Sequence, residues 1–384
     1  MSEYSPAETK CSTVVMGNNT STSLTRIAAC HASPVFLNAK ETTLKAVSLI
    51  KEAAGHGANI IVFPESYIPA FPIWSALRAP TENHGFFRLM AAESIYVDGE
   101  EMSAIRAAAK QHGVIVSLGF SEKVRYSSAT LFNSNVLVGT DGEVLVHHRK
   151  LMPTFYEKLT WAPGDGHGLQ VAETPFGKIG ALICGENTNP LALYTMTAQG
   201  EQIHISTWPA VWPTRLPHGP LPGVNLLDIG KKDTKASRSS VAREADYDNV
   251  SANRTRAAAH CFEAKCFGVL CAGVLDGEAI YALVTSGSGE PEAMSQGLER
   301  LPRGATMFLD TTGALLPGFT FSNDSPEKHI TDFLQKQEGI LYADIDLEDC
   351  VEGKQYHDLA GGYQRLDVFE LKVDRARREP VTFK

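Results

Sequence analysis

Short apolar runs of strand length recur along most of the chain, and they predict the strands of a buried sheet system. The run NIIVF at Asn59–Phe63 is continuously apolar, as is typical of a strand that is covered on both faces. Turn signals at Thr140-Asp141-Gly142 and at Thr312-Gly313 indicate hairpins. The predicted strands are Thr25–Ala32, Asn59–Phe63, Val114–Phe120, Thr130–Val138, Glu143–His148, Leu169–Glu173, Lys178–Ile183, Gln202–Ser206, Cys266–Cys271, Thr306–Asp310 and Gly339–Asp346.

Segments with helical spacing of apolar residues lie between several of these strands. The first places Leu44, Val47 and Ile50 on one face. Asn189 and Pro190 are a suitable N-cap and first residue for a later helix. The predicted helices are Glu41–Ala54, Gly99–His112, Pro190–Gln199 and Ser251–Lys265. Strands that alternate with helices, with hairpins between them, predict a mixed sheet system with helices outside.

Three segments lack such periodicity. Residues 1–23 are rich in Ser, Thr and Asn, and they predict a disordered N-terminal tail. Residues 215–250 combine Pro, Gly, Ser and charged side chains, and they predict a long surface loop or insertion. Residues 351–384 have the composition of a C-terminal tail. We therefore expect a single domain over 24–350.

Composition narrows the class of protein. The 384 residues are 43% hydrophobic and 21% charged, which is ordinary for a globular protein with a sizeable core. The net charge of −9 disfavours nucleic acid as a partner. Seven cysteines without zinc-type pair spacing favour reduced thiols over a disulfide framework. We find no secretory h-region and no apolar run near the ~18 residues that span a bilayer, so we expect a cytoplasmic protein without a membrane partner.

The strongest chemical signal is Cys184, which ends the apolar run of GKIGALICGENTNP and precedes a glycine. A free cysteine in such a place is more often a buried structural thiol than a nucleophile. Two further ionisable residues, Glu65 and Lys150, also stand at predicted strand ends. A nearby cation favours the thiolate, and a carboxylate can take the thiol proton and later activate water. Taken separately, Glu65 also suits a solvated loop, and Lys150 a basic surface cluster.

Two other arrangements are possible from the residue types. His147 and His148 suggest a cysteine–histidine pair, but they alternate on a strand, so at most one can face the site. Cys261, Cys266 and Cys271 recur every five residues, which hints at a metal site. The first belongs to a predicted helix and the others to a predicted strand, so we predict no metal site.

Three motifs resemble those of the nitrilase superfamily of carbon–nitrogen hydrolases. They are FPESYIPAFP around Glu65, HHRKLMPT around Lys150 and ICGENTNPLALY around Cys184. The resemblance runs from about residue 25 to residue 371, and it is closest to the nitrilase branch that cleaves aliphatic nitriles and arylacetonitriles. It implies a four-layer α-β-β-α sandwich and a Glu65–Lys150–Cys184 triad. It also implies a supporting role for Glu157, which spacing alone does not single out, and assembly through dimers into larger, often spiral, homo-oligomers.

Aromatic residues near these motifs predict an apolar pocket for the substituent of a small-molecule nitrile. We expect Trp208, Tyr156, Trp161 and Gly185 to contact the substrate, and Trp208 is the first choice because it follows the next strand after the nucleophile. Many members of the family carry Trp where this chain has Gly185, whose backbone N–H still suits an oxyanion-stabilising role. The C-terminal stretch GGYQRLDVF also departs from the family pattern, which bears on assembly.

The resemblance implies hydrolysis of a nitrile to a carboxylic acid and ammonia through a covalent thioimidate and thioester, with amide as a side product. The reaction needs neither a metal nor an organic cofactor. Three alternatives remain open at this stage: an aliphatic amidase with the same triad, a cyanide-hydrating enzyme, and a catalytically inactive member that serves as a filament or scaffold.

Overall fold

Two β-sheets pack face to face, and helices cover their outer faces. The structure is a computed structural model that describes residues 24–214, 248–285, 291–322 and 325–381. The predicted tail 1–23 and positions 215–247 of the predicted loop lie outside the described residues.

The strands of the described residues match most of the predicted runs. Their bounds are β1 Thr25–His31, β2 Ile60–Val62, β3 Ile115–Val124, β4 Ser127–Val138, β5 Val144–Arg149, β6 Ala172–Thr174, β7 Gly177–Ile183, β8 Ile203–Trp208, β9 Phe267–Ala272, β10 Thr306–Leu309, β11 Leu315–Leu316, β12 Gly318–Ser322, β13 Ser325–Thr331, β14 Phe333–Leu334 and β15 Gly339–Ile345. Leu169–Val171 were predicted to be part of a strand, and this was wrong, because β6 begins only at Ala172.

The first sheet has the strand order β13-β12-β15-β1-β2-β3-β4-β5, and the second has β11-β10-β9-β8-β7-β6, with β14 paired to β10. In the first sheet β1, β2 and β3 are parallel, and the antiparallel β4 returns the chain so that β5 runs in the direction of β2. In the second sheet β7, β8 and β9 are parallel. The carboxyl ends of β2 and β5 therefore lie at the same edge of the first sheet.

The helices of the described residues are α1 Ala39–Gly55, α2 Trp74–Leu77, α3 His84–Glu93, α4 Glu100–His112, α5 Pro190–Thr197, α6 Asn249–Ala264, α7 Gly277–Thr285, α8 Pro291–Arg300 and α9 Asp349–Tyr356. Asn189 caps α5 as predicted, since its side chain accepts from the backbone N–H of Leu191 and Ala192. None of the helices within the described ranges is both long and apolar enough to cross a bilayer.

Side-chain alternation along β1 explains the layers. Ile27 and Ala29 belong to the core between the two sheets, whereas Ala28 and Cys30 belong to the core under α1 and α4. On the other side, α5 and α6 cover the outer face of the second sheet. The predicted four-layer α-β-β-α sandwich is thus confirmed.

The buried face of α1 differs from the prediction. Leu44 is 55% exposed, and the helix instead packs with Ala39, Ala46, Ile50 and Ala53 against the sheet. Alanines seven residues apart return to the same side of a helix, and their small side chains let it approach the sheet closely. The larger leucine therefore lies outside the contact.

The C-terminal segment does not extend freely from the domain. Residues 351–356 belong to α9, which begins at Asp349. Further on, Arg377 donates to the backbone oxygen of His147 at 3.0 Å and to the carboxylate of Asp165 at 3.3 Å. The part of the segment around Arg377 thereby packs beside β5, the strand that precedes Lys150.

Candidate active site

Glu65, Lys150 and Cys184 follow β2, β5 and β7, and the packing of the two sheets brings these three strand ends together. Lys150 Nζ donates to Glu65 Oε1 at 2.8 Å and to Glu157 Oε2 at 2.7 Å. The carboxylates of Glu65 and Glu157 and the Sγ of Cys184 each offer an atom within 4.8 Å of the others. All four side chains are buried. The four residues named as catalytic from the sequence thus form one cluster.

The Glu65 carboxylate is held through one of its two oxygens. Asn133 Nδ2 and Lys150 Nζ donate to Oε1 at 2.7 and 2.8 Å. Oε2 is buried and has no hydrogen-bond partner within the described part of the chain. A buried carboxylate oxygen with a free lone pair is a suitable acceptor for a proton from a neighbouring group.

Gly119 on β3 allows the backbone of Glu65 to pass close to the sheet. A Cβ at position 119 would lie 2.3 Å from the oxygen of Pro64 and 2.8 Å from the nitrogen of Ser66. Both contacts are to backbone, so the loop that carries Glu65 would have to move. Only glycine lets the carboxylate reach its observed position.

We expect Gly119→Ala to lower the free energy of unfolding by about 1–3 kcal/mol, because overpacking forces the backbone to shift. Turnover should fall by about 100-fold in the folded protein, since displacement of a reacting group by about 1 Å has that effect. Urea unfolding and steady-state kinetics measure the two changes. Gly85→Ala in α3 is the matched control, because a Cβ there meets nothing within 4 Å. Equal behaviour of the two variants would contradict the role given to Gly119.

Lys150 is fixed by its backbone as well as its side chain. Its N–H donates to the oxygen of Asn133 at 2.8 Å, and its own oxygen accepts from Gly164 at 2.9 Å. Burial acts to lower the pKa of its ammonium, but the charges of Glu157 and Glu65 outweigh burial and raise it well above its usual value. Lys150 therefore stays charged and holds the two carboxylates together.

Glu157 lies in a short 3₁₀ turn, Phe155–Leu159, where it also accepts from the backbone N–H of Thr154 at 2.9 Å. Burial raises the pKa of its carboxyl to about 7; Lys150 acts in the opposite direction, and Glu65 adds to the rise. A carboxyl with this pKa exchanges a proton near neutral pH, whereas an ordinary glutamate is fully ionised there.

This pKa predicts how stability depends on pH. Folding raises the pKa of Glu157, so the protonated carboxyl stabilises the folded protein. This stabilisation is complete below pH 4.5, the ordinary pKa of the group, and it is lost as the pH rises through about 7. The difference in this free energy between wild type and Glu157→Gln should therefore fall by roughly 1–3 kcal/mol from pH 5 to pH 8. Chemical denaturation at several pH values measures it. Glu173→Gln removes an exposed carboxylate and should give a constant difference; a constant difference for Glu157→Gln as well would refute the prediction.

Cys184 begins a 3₁₀ turn, Cys184–Thr188, and adopts a left-handed backbone conformation with φ of 51°. Such a conformation is unfavourable for a residue with a Cβ, and it persists only where neighbours enforce it. Burial raises the pKa of the thiol well above its usual value; Glu65 adds to the rise and Lys150 opposes it. The sulfur at rest is therefore a thiol, and it needs a base to become a nucleophile.

Two side chains just after Cys184 hold this turn. Glu186 accepts from the backbone N–H of Ile183 at 2.8 Å and from that of Leu151 at 2.6 Å, so it joins the nucleophile turn to the residue that follows Lys150. Asn187 donates to the backbone oxygen of Cys184 at 3.0 Å and accepts from His204 Nε2 at 2.8 Å. Neither residue was predicted from the sequence, although both stand in the same CGEN motif as the thiol.

The other ionisable groups considered from the sequence have separate partners. His147 pairs with Glu122, and His148 with Glu186. Cys261 lies in α6 and Cys271 in β9, as the predicted elements require. Two groups of described residues have ligand-like spacing: Glu65, Glu157 and Cys184, and Glu201, His260 and Cys266. In the first group the Lys150 ammonium already bridges the two carboxylates, and in the second Glu201 bonds to His204 and His260.

A cavity opens on the sulfur side of the cluster. Trp208 and Gly185, two of the predicted substrate contacts, belong to its lining. Tyr156 lies one layer behind, where its ring stacks on Trp212 with centroids 4.4 Å apart. Trp161 lies elsewhere, because its indole donates to Ser121 and its ring packs on Phe71. The described lining consists of Thr154, Cys184, Gly185, Trp208, Pro209, Trp212, Asn249, Asn253 and Arg256.

Gly185 also decides how much space lies next to the sulfur. A Cβ at this position would lie 2.8 Å from the hydroxyl oxygen of Thr154. A larger side chain would therefore have to displace Thr154 or occupy the cavity. A second, mostly apolar cavity lies beside Glu65, with Ser66, Tyr67 and Phe71 in its wall, and it shares Pro209 with the first.

Comparison with known proteins gives a consistent picture. The sequence profile of the family described as carbon-nitrogen hydrolase matches residues 26–355. An arylacetonitrilase of Hypocrea virens is 32% identical over 91% of this chain and 92% of its own length. A cyanide hydratase of Stereum hirsutum is 33% identical over 93% of this chain and 85% of its own. Among solved structures, a carbon-nitrogen hydrolase from Helicobacter pylori superposes with a TM-score of 0.62 at 19% identity, over 91% of this chain and 97% of that one.

Proposed function

The chain belongs to the carbon–nitrogen hydrolase family, within its nitrilase branch, and on that basis we propose that it hydrolyses organic nitriles to carboxylic acids and ammonia. The observation that supports this most directly is the free Glu65 oxygen beside a buried, protonated thiol. In that pair the carboxylate can take the thiol proton as the sulfur attacks a substrate. The nitrile, and not the amide, is proposed as substrate because the relatives at 30% identity or more include an arylacetonitrilase.

In the proposed first half-reaction, Glu65 Oε2 takes the proton of Cys184 as the sulfur forms a bond to the nitrile carbon. One C–N π bond becomes a lone pair on nitrogen, which takes the thiol proton back from Glu65, so that the product is a covalent thioimidate. Glu65, ionised again, takes a proton from a water molecule whose oxygen adds to the same carbon, and passes this proton to the nitrogen. As the tetrahedral intermediate collapses, its hydroxyl proton also reaches the nitrogen through Glu65, the C–N bond breaks, and ammonia leaves a thioester.

A second water, activated in the same way, releases the carboxylic acid and returns the thiol. The Lys150 ammonium and the backbone N–H at Gly185 stabilise the charge that develops at the reacting atoms. Glu157 keeps Lys150 in place. If the tetrahedral intermediate expels the thiol instead of ammonia, the product is the amide.

A panel of phenylacetonitrile, an aliphatic nitrile and the matching amides tests the proposal, with acid, amide and ammonia measured separately. We expect acid and ammonia from at least one nitrile. Turnover of the amides alone would replace the proposal with an amidase. Absence of any turnover together with an unreactive thiol would favour the inactive scaffold.

Cyanide hydration is the second candidate, because the cyanide hydratase of Stereum hirsutum is 33% identical over 93% of this chain. Cyanide has no substituent to occupy the cavity lined by Trp208 and Trp212, and for this reason we place it second. Formamide production from cyanide at a higher kcat/KM than any organic nitrile would reverse the order.

We further propose that the protein self-associates into dimers and larger, spiral homo-oligomers through its C-terminal segment. Tyr363, Leu366 and Phe369 are 63%, 77% and 74% exposed in one chain, and apolar side chains at this density favour a contact. Light scattering of wild type and of Leu366→Ser/Phe369→Ser measures the mass.

A cytoplasmic location is proposed because the described cysteines are unpaired thiols.

A further inference from the structure

Arg256 is the charged group of the sulfur-side cavity that the proposed reaction does not use. It lies on α6, one helical turn before His260, and His260 is hydrogen-bonded to Glu201. Its guanidinium is 5.6 Å from the centre of the Trp208 ring, and its Nη1 donates to Asn253 Oδ1 at 3.2 Å. These two contacts fix where the side chain points, since both partners also line the cavity.

The charge of Arg256 has no counter-ion in the described part of the chain. Its one hydrogen bond there goes to a neutral amide, and the lining of the cavity within the described ranges contains no carboxylate. Its charge is close enough to Cys184 to oppose the rise in the pKa of the thiol. The nearby carboxylates Glu65 and Glu157 are already bonded to Lys150. A half-buried guanidinium in this situation retains most of its capacity to bind an anion.

The walls of the same cavity are aromatic. Trp208 and Trp212 belong to the lining, and the ring of Tyr156 stacks on that of Trp212. An aromatic ring or a short apolar chain suits such walls, whereas a charge fits only where the guanidinium lies. The cavity therefore combines the sulfur of Cys184, aromatic walls and one cationic group in a single lining.

We propose that Arg256 selects nitriles whose substituent ends in an anionic group, in particular a carboxylate on an aryl-aliphatic body. This rests on the proposed function, because it assumes that the nitrile carbon meets Cys184. The anion accepts from the guanidinium while the ring packs against the aromatic lining of Trp208 and Trp212. A charge-assisted hydrogen bond of this type changes binding by roughly 10- to 100-fold.

The test compares two substrates of nearly equal shape, para-carboxyphenylacetonitrile and para-acetylphenylacetonitrile. We expect wild type to prefer the carboxylate by roughly 10-fold or more in kcat/KM. The ratio should fall to about 1 in Arg256→Gln and be kept in part by Arg256→Lys, which retains the charge without the planar fork. Arg254→Gln, on the exposed side of the same helix, is the matched control and should keep the wild-type ratio. A wild-type ratio near 1, or a ratio unchanged in Arg256→Gln, overturns the proposal.

Binding separates this proposal from the one on which it rests. Calorimetry with Cys184→Ala and para-carboxyphenylacetonitrile measures recognition without chemistry, and adding Arg256→Gln should weaken binding by roughly 10-fold or more. If wild type hydrolyses no nitrile but the anion still binds through Arg256, the proposed function fails and the anion site stands. If nitriles are hydrolysed and Arg256→Gln leaves binding unchanged, the anion site fails alone. Near-ultraviolet circular dichroism establishes that each variant is folded.

Discussion

Cys184→Ala is expected to abolish nitrile hydrolysis, with a loss of about 10⁵-fold or more, as removal of a covalent nucleophile does in enzymes of comparable design. The described lining of the sulfur-side cavity offers no second thiol. The variant should still fold, because a methyl group replaces the CH2–SH side chain without leaving a charged group unpaired.

Two measurements check this expectation. Ammonia release measures turnover, and intact-protein mass spectrometry after mixing with a nitrile detects the covalent adduct, which should form in wild type and not in the variant. Cys350→Ala is the matched control, since Cys350 is also a buried free thiol but lies in α9 with its sulfur 3.6 Å from the backbone oxygen of Gln202. It should lose stability and keep turnover. Comparable loss in both variants would mean that the effect comes from the fold and not from the sulfur.

Glu65→Gln is expected to lower kcat by about 10²–10⁴-fold while it preserves the fold, because it removes the proton acceptor and keeps the shape. The glutamine oxygen can still accept from Asn133 and Lys150, as Oε1 of the glutamate does. Its amide nitrogen then occupies the place of Oε2, where it donates and cannot accept. The Lys150–Glu157 ion pair remains and is neutral overall.

The rate of thiol alkylation by iodoacetamide distinguishes this loss of a base from a loss of structure. In wild type, alkylation at neutral pH should be assisted by Glu65, and in Glu65→Gln it should become slow until the pH approaches the raised pKa of the thiol. Glu143→Gln, which removes an exposed carboxylate from the β4–β5 hairpin, serves as the control and should leave both rates unchanged. Normal alkylation together with normal turnover in Glu65→Gln would remove Glu65 from the mechanism.

The sequence predicted those features of the fold that depend on local periodicity. Buried strands such as β2 and β7 are short apolar runs, and a polar residue follows the carboxyl end of each. The change from apolar to polar residues makes that residue easy to recognise in the sequence. Glu65, Lys150 and Cys184 could be found in this way. Glu157 could not, because it lies in a 3₁₀ turn within an irregular loop, and only the family resemblance pointed to it.

What the sequence missed depends on contacts between distant segments. Glu186, Asn187 and Asn133 act through bonds to backbone or side chains that only the packed sheets bring close. The run AIYALV in α7 suits a strand as well as a helix, because a short apolar run has no period of its own. The polar strand β13 forms at a sheet edge, where pairing with β12 and not hydrophobic pattern decides.

The proposed catalytic cluster is divided between the two sheets, since Glu65 and Lys150 follow strands of the first and Cys184 follows a strand of the second. The distances between the Cys184 sulfur and the side chains of Glu65 and Lys150 therefore depend on how the two sheets are placed relative to each other. An apolar interface and the hydrogen bond between Glu186 and the backbone of Leu151 hold the sheets together. A slide of one sheet along the other by about 1 Å would separate base from sulfur at a cost of about 100-fold in rate, with every strand intact. On heating, activity should therefore be lost at a lower temperature than the one at which the protein unfolds. Turnover should respond to this sliding motion before any spectroscopic signal of secondary structure changes.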